Sequence, residues 1–346
     1  MSDPTANDNS QYKNEPAFRY VSGGVIFLAC ITILLILWFT RNDIPIKAPR
    51  TITLYSFAAM ETVMEQALIP AFQEYWMKEE EERVEFITTF AGAGVITRQI
   101  MTQFPAEVAI LSSELDARIL VTEGIINAAT WQELKSKQKF CRTPIVMFVR
   151  DNIPVTVSGF DDIDFTDLKV IIPDPLISGV GQMTSLALYG SRIRQGDSHE
   201  QALGFTLDAF ASIRNHPSNS QDALEQFHAG IGDLLINYEA ARAFHPGAIE
   251  LKVIFPLSTI MVEPFAVTID RNIRSQQESL ISAFLDFLWE EHAQKLLSDY
   301  GFRTINTASQ PEFAPAPVHD IFTLNSLGSA SELNRTVINP LLKQSE

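Results

Sequence analysis

The sequence predicts an α/β fold carried behind one transmembrane helix, on three observations. Val21 to Thr40 is a stretch of twenty residues without a charge; at about 1.5 Å per residue a helix of that length crosses the roughly 30 Å of a bilayer core. From Thr51 onward, β-branched runs alternate with segments of helical spacing, the pattern of sheets covered by helices on both faces. Several strand-to-helix junctions combine a strand end, small residues and a helix start, which leaves backbone N–H groups and positive helix ends available.

The elements follow in order. Residues 1–20 form a polar tail. The span 21–40 ends in Trp38-Phe39, aromatic rings of the kind that settle at the membrane interface. A cleaved signal peptide has a shorter apolar run and a small-residue cleavage site, and neither is present. A lipoprotein reading through Cys30 is a poor match, because ten apolar or uncharged residues follow the cysteine. Residues 41–50, with Pro45 and Pro49, read as an extended linker. Thr51–Ser56 is a strand, Met60–Lys78 a helix on the spacing of Val63, Ala67, Leu68, Ala71 and Phe72, and Glu79–Glu82 a solvated turn. Val84–Thr89 is a strand, followed by a helix through Ile96, Ile100 and Met101, and Val108–Leu111 is a short strand. Pro144–Val149 is a strand that begins a crossover into a second lobe. Val170–Ile172 is a strand, Ser178–Arg194 a glycine-rich turn and helix, and Gln221–His228 a helix stopped at Gly230. Leu234–Tyr238 and Val262–Ile269 are strands, Ile273–Tyr300 holds amphipathic helices, and the prolines at 311, 315 and 317 mark a wrapping tail.

Composition narrows the function classes. The formal charge is −16; residues 1–20 carry −1 and residues 21–50 carry +2, so the remainder carries −17. That balance excludes a basic nucleic-acid footprint. Cys30 and Cys141 are the only cysteines, one of them in the apolar span, so no internal disulfide is expected. Cys141 reads as a packed small hydrophobe. His216 with His228, and Glu290-Glu291-His292, lack zinc spacing, so no metal site is expected. No G-x-S-x-G elbow and no nucleophile beside a base occurs. The chain reads as a binding module, not an enzyme, and without a cofactor.

The chemistry gathers at four turns. Ser56-Phe57-Ala58-Ala59, Ala91-Gly92-Ala93-Gly94 and Ser178-Gly179-Val180-Gly181 each join a strand end to a helix start, and Pro217-Ser218-Asn219-Ser220 precedes a helix. Singly, such residues are helix caps. Together they form a cradle that binds an anion through neutral amides and helix dipoles, at the carboxyl ends of strands where open α/β sheets place ligands. Gly92-x-Gly94 is no nucleotide loop, since no Gly-Lys-Ser/Thr follows. Asp222, in the first turn of the fourth helix, is a dipole partner, or, if it faces the cleft, an acceptor for a protonated oxyanion.

The stretch Val84–Gln99, together with Ala106–Leu111, Pro173–Gly179, Gly230–Glu239, Ser258–Pro264, Trp289–Phe302 and Phe322–Gly328, resembles the sulfate- and thiosulfate-binding subunits of ABC importers, over about residues 51–330. The resemblance implies a two-lobed periplasmic-binding-protein type II fold. Lobe 1 is expected at 51–143 plus 259–346 and lobe 2 at 144–258. Residues 1–20 then lie in the cytoplasm and the lobes outside the cytoplasmic (inner) membrane, in the periplasm. It also implies capture of a small tetrahedral oxyanion, sulfate or thiosulfate, and docking on an ABC permease. Mapped onto this chain, backbone donors fall at Ala58, Ala93, Gly179, Val180 and the Ser218–Ser220 turn. Ser56, Gly92, Gly94, Ser178 and Tyr238 complete the ligand-binding set. The chain departs from the family pattern at four places: the loop serine is Ala93, an aspartate of the first loop is Ala58, a glycine is Val180, and the tryptophan position is Tyr238. These departures leave open a homologue with a changed oxyanion, or a sensor or scaffold role.

Overall fold

The computed structural model describes residues 27–34, 48–134, 139–150, 157–163, 165, 167–243, 252–305 and 319–344. Residues 27–34 are helical, with Phe27, Leu28, Ile33 and Leu34 exposed. The rest of the expected span, 21–26 and 35–40, lies outside the described residues, as do the tail 1–20, residues 41–47 of the linker, and Pro311, Pro315 and Pro317. Among the described residues no helix is long and apolar enough to cross a membrane.

The chain from Pro49 onward is a separate compact unit. Strand β1 (Arg50–Phe57) runs into a 3₁₀ turn, Ala58–Met60, and a helical stretch that ends as α1 (Ile69–Glu80). Glu81, at φ 51°, takes the left-handed conformation that stops it. The expected solvated turn is corrected at Glu82, which is buried and accepts from Trp76 Nε1 at 3.2 Å and Arg50 Nη1 at 3.3 Å. Next come β2 (Val84–Ala91), α2 (Ala93–Met101), β3 (Val108–Leu111) and α3 (Glu114–Thr122). Strand β4 (Cys141–Val149) leads to β5 (Val170–Ile171), α4 (Gly179–Gln195), α5 (His199–Ser212), α6 (Ser220–His228) and β6 (Leu234–Tyr238). The remaining elements are β7 (Lys252–Ile254), β8 (Ser258–Val262), β9 (Phe265–Thr268), α7 (Glu278–Phe287), α8 (Glu291–Asp299), β10 (Arg303–Thr304) and β11 (Asp320–Thr323). Short helices carry the chain to Gln344.

These strands build two sheets. The first has the order β2-β1-β3-β9, with β9 alone antiparallel. Both of its faces are covered: Ile52, Leu54, Val108 and Ile110 enter one core, while Tyr55, Ala109 and Leu111 enter another, as the two-residue side-chain period requires. Over the first face, α1 and α7 bring Phe72 and Phe284 to 5.1 Å between ring centres. The second sheet has the order β11-β8-β4-β6-β5, with β7 and β10 also paired to β4. Its main helix, α4, is buried along residues 179–191. Pro144 sits where β4 changes partner from β8 to β6, a break at which its missing N–H costs least.

Two expectations change here. The single strand expected over Val262–Ile269 is divided at Glu263-Pro264, with β8 in the second sheet and β9 in the first; Pro264 cannot continue a ladder. Residues 259–346, expected in lobe 1, therefore contribute β8 and β11 to the other sheet. The helix α5 was not expected. Its start is a capping box in which Ser198 Oγ accepts from Gln201 N–H and Gln201 Oε1 from Ser198 N–H, a signal readable as Ser-x-x-Gln.

Candidate functional site

The turns that follow β1, β2 and β5 lie at the carboxyl ends of their strands, and the two lobes bring them together. Gly92 and Gly94 sit against the loop before α4: a Cβ on Gly92 would lie 2.2 Å from Ile177 O and 3.0 Å from Ser218 O, and one on Gly94 would lie 2.9 Å from Leu176 O. Only a residue without a side chain permits this approach. Gly94 N–H donates to Ile177 O at 3.1 Å across the cleft. A Cβ on Gly179 would lie 3.0 Å from Ala93 Cβ and 2.2 Å from Ser112 Oγ. The third and fourth turns are joined by Asp174 N–H donating to Pro217 O at 2.9 Å. The first turn packs against α6, and Phe57 meets Tyr238 edge-on at 6.1 Å.

The helix starts are not equivalent. At the Ala58–Met60 turn, at α2 and at α4 no side chain caps the N-terminus, and no acidic residue lies in the first turn. Positive helix ends there are unbalanced. At α6, Asn219 Oδ1 accepts from Gln221 N–H at 2.8 Å and Asp222 N–H at 3.0 Å. Asp222 in turn accepts from Ser218 Oγ, so its side chain closes its own turn. Ser220 Oγ donates to Asn237 Oδ1 at 2.7 Å, and Ser56 Oγ to Phe57 O at 3.3 Å. The fourth turn is thus a satisfied cap beside the cleft. The α2 and α4 starts, by contrast, meet each other with Gly92, Ala93, Ser178, Gly179 and Val180 at their tips. All five are buried, as is Ala58 in the first turn.

Two buried groups in the same place were not anticipated. Ser112 follows β3 directly, is fully buried, and donates from Oγ to Asp116 Oδ2 at 2.8 Å. Burial pushes the Asp116 carboxyl up to about 6, against hydrogen bonds from Ser112 and Ser113 that hold it down. Burial, with Asp116 nearby, likewise pushes the Tyr238 phenol far above its ordinary value, Ser112 opposing weakly. The Tyr238 hydroxyl is buried and makes no hydrogen bond of normal geometry, a condition that costs about 1–3 kcal/mol when nothing occupies it. The readable signal was a fifth junction of strand and helix, Val108–Leu111 followed by Ser112-Ser113-Glu114-Leu115-Asp116. Among the described residues no group of three or more His, Cys, Asp or Glu gathers. His216 stacks on Phe210, with Nδ1 at 2.9 Å from Ile172 O.

What the arrangement can do chemically is enclose a small anion between neutral donors contributed by both lobes. The chain is 25% identical over 285 residues to a sulfate-binding protein of Synechococcus elongatus, covering 81% of each chain. It is 25% identical over 264 residues to a thiosulfate-binding protein of Pseudomonas aeruginosa, covering 74% of this chain and 79% of that one. The solved sulfate-binding protein SubI of Mycobacterium tuberculosis superposes with a TM-score of 0.69 at 25% identity, over 83% of this chain and 98% of that chain. The two-lobed periplasmic-binding fold is shared with that structure. Residues 52–303 match the model of the bacterial extracellular solute-binding proteins, and the chain belongs to that family.

Proposed function

We propose that this chain is the solute-binding component of an ABC importer and captures sulfate or thiosulfate between its lobes. The observation that carries the reading is the meeting of two uncapped helix N-termini, α2 and α4, across the cleft. The relatives, which are sulfate- and thiosulfate-binding proteins, point the same way. In this reading the backbone N–H groups of Ala58, Ala93, Gly179 and Val180 hold the anion. Ser178 and Tyr238 add side-chain donors, and the Ser218–Ser220 turn, with Ser56, Gly92 and Gly94, shapes the wall. The uncharged stretch Val21–Thr40 tethers the binding unit to the cytoplasmic membrane, with the lobes outside and close to the permease, a linkage that raises local concentration. Closure of the lobes is selected by the anion.

Calorimetric titration and thermal unfolding of the full chain in detergent test this, with sulfate, thiosulfate, molybdate, tungstate and phosphate. Sulfate or thiosulfate at a hundred times its Kd is expected to stabilise by about 2.7 kcal/mol. Stabilisation by none of the five, or by phosphate alone, overturns the reading.

A further inference from the structure

The side chain at position 93 offers no hydroxyl, and the place beside it is taken by Ser112. The position of a Gly179 Cβ would lie 2.2 Å from Ser112 Oγ and 3.0 Å from Ala93 Cβ, so both residues of lobe 1 press on the same tip of α4. Ser112 comes from the end of β3, a different strand from the one that leads to Ala93. Its hydroxyl hydrogen is spent on Asp116 Oδ2 at 2.8 Å. The Tyr238 hydroxyl, in the same buried space, has no partner of normal geometry. An ionised Asp116 therefore has two consequences for an incoming anion: it keeps the Ser112 hydrogen, and it places a negative charge in a dry site.

We propose that Ser112, Asp116 and Tyr238 form a proton-coupled gate of the anion site: Asp116 takes up a proton as the anion binds, and Ser112 and Tyr238 then donate to the anion. This rests on the anion-binding reading above. A protonated carboxyl donates, where a carboxylate only accepts. Protonated Asp116 turns its O–H to Ser112 Oγ, and Ser112 is released to point its own hydrogen at the guest. The proton comes from bulk water or buffer and remains on Asp116 while the anion is bound. No bond other than O–H is made or broken.

The neighbouring charges leave Asp116 to its burial. On its own helix, Glu114 pairs with Arg118 at 3.2 Å. The ionisable groups on elements packed against α3 are Arg98 of α2 and Glu332 of the Ala330–Leu333 helix, and β3 and β9 bring none. Tyr238 of β6 is the ionisable group coupled to Asp116. Free Asp116 titrates near 6, and the bound dianion raises it further. The sign follows. Below that value the proton is already in place and affinity is flat; above it each bound anion must bring a proton, and affinity falls as pH rises.

Calorimetry of the full chain with sulfate, whose own charge is constant over this range, tests the gate. Titrations near pH 7.5 in buffers of different ionisation enthalpy should show about one proton taken up per sulfate, and the Kd should weaken by close to tenfold per pH unit above about 7. Asp116→Asn should bind with no proton uptake and a flat pH profile, and Ser112→Ala should bind about ten- to a hundredfold more weakly. The proton count on the unaltered chain stands even if a variant fails to fold. Sulfate binding without proton uptake overturns the gate and leaves the anion site intact. Absence of binding to both sulfate and thiosulfate overturns the gate together with the proposed function.

Discussion

At the scale of single residues, Gly92 separates closure from folding. Its φ of −57° and ψ of 142° are open to any residue, so nothing in its own backbone demands glycine. What demands it is Ile177 O, 2.2 Å from where a Cβ would sit, on a loop of the other lobe. In an open form with Ile177 withdrawn, Gly92→Ala should leave the unfolding temperature of the ligand-free chain within about 2 °C, since a substitution free of packing conflict shifts stability by roughly 0.5 kcal/mol or less. It should weaken sulfate by at least about tenfold, because the closed form can no longer be reached. Calorimetry beside thermal unfolding reads both; unchanged affinity would mean that the lobes need not close this far. The same residue shows what a sequence can disclose. Small residues at strand-to-helix junctions were visible as a chemical pattern, so the turns at 58, 92 and 178 could be named. Ser112 was hidden because serine before a helix is ordinarily a cap, a role that Ser113 beside it fills by accepting from Leu115 N–H at 3.2 Å. Its neighbours across the cleft, Gly179 and Tyr238, are separated from it by most of a lobe of sequence.

Among the elements, the strands and helices with strong periodicity were legible, and Val108–Leu111 and Leu234–Tyr238 fall where their apolar runs place them. The strand around 262–269 misled because an apolar, β-branched run has the same appearance whether it stays in one sheet or passes between two. Glu263 and Pro264 mark the passage. Glu263 is held by Lys139 and by Arg142 at 3.4 Å, next to the chain's other crossing before β4. Adjacent crossings of this kind are where rotation between lobes can be absorbed. The prolines read as marking a wrapping tail lie outside the described residues; beyond them β11 joins β8 in parallel and lays Phe322 over α4. There the ring sits 2.4 Å from where a Gly190 Cβ would be, with 2% of its surface exposed. Phe322→Ala should therefore cost about 3–5 kcal/mol, measured by denaturant unfolding. A loss under about 1 kcal/mol would show that β11 is a loosely held edge.

For the whole molecule, the dominant electrostatic fact is that a chain proposed to take in anions carries −16 overall and −17 beyond residue 50. In the proposed reading, binding through neutral amides and helix ends resolves the local conflict, since fixed dipoles a few ångströms away act more strongly than distant charges seen through water. The distant charges still act on the approach. A dianion diffusing toward a strongly negative surface is repelled over a Debye length, about 30 Å at 0.01 M salt and about 8 Å at 0.15 M. Raising salt between those limits should accelerate sulfate association several-fold, the reverse of what a cleft lined with lysine and arginine would do. Dissociation should change little, because once the lobes meet through contacts such as Gly94 N–H to Ile177 O the guest is shielded from ions. Stopped-flow measurement on the full chain, following tryptophan fluorescence across a sodium chloride series, distinguishes the two. An association rate that falls with salt would place cationic side chains at the entrance and take the leading role away from the backbone donors.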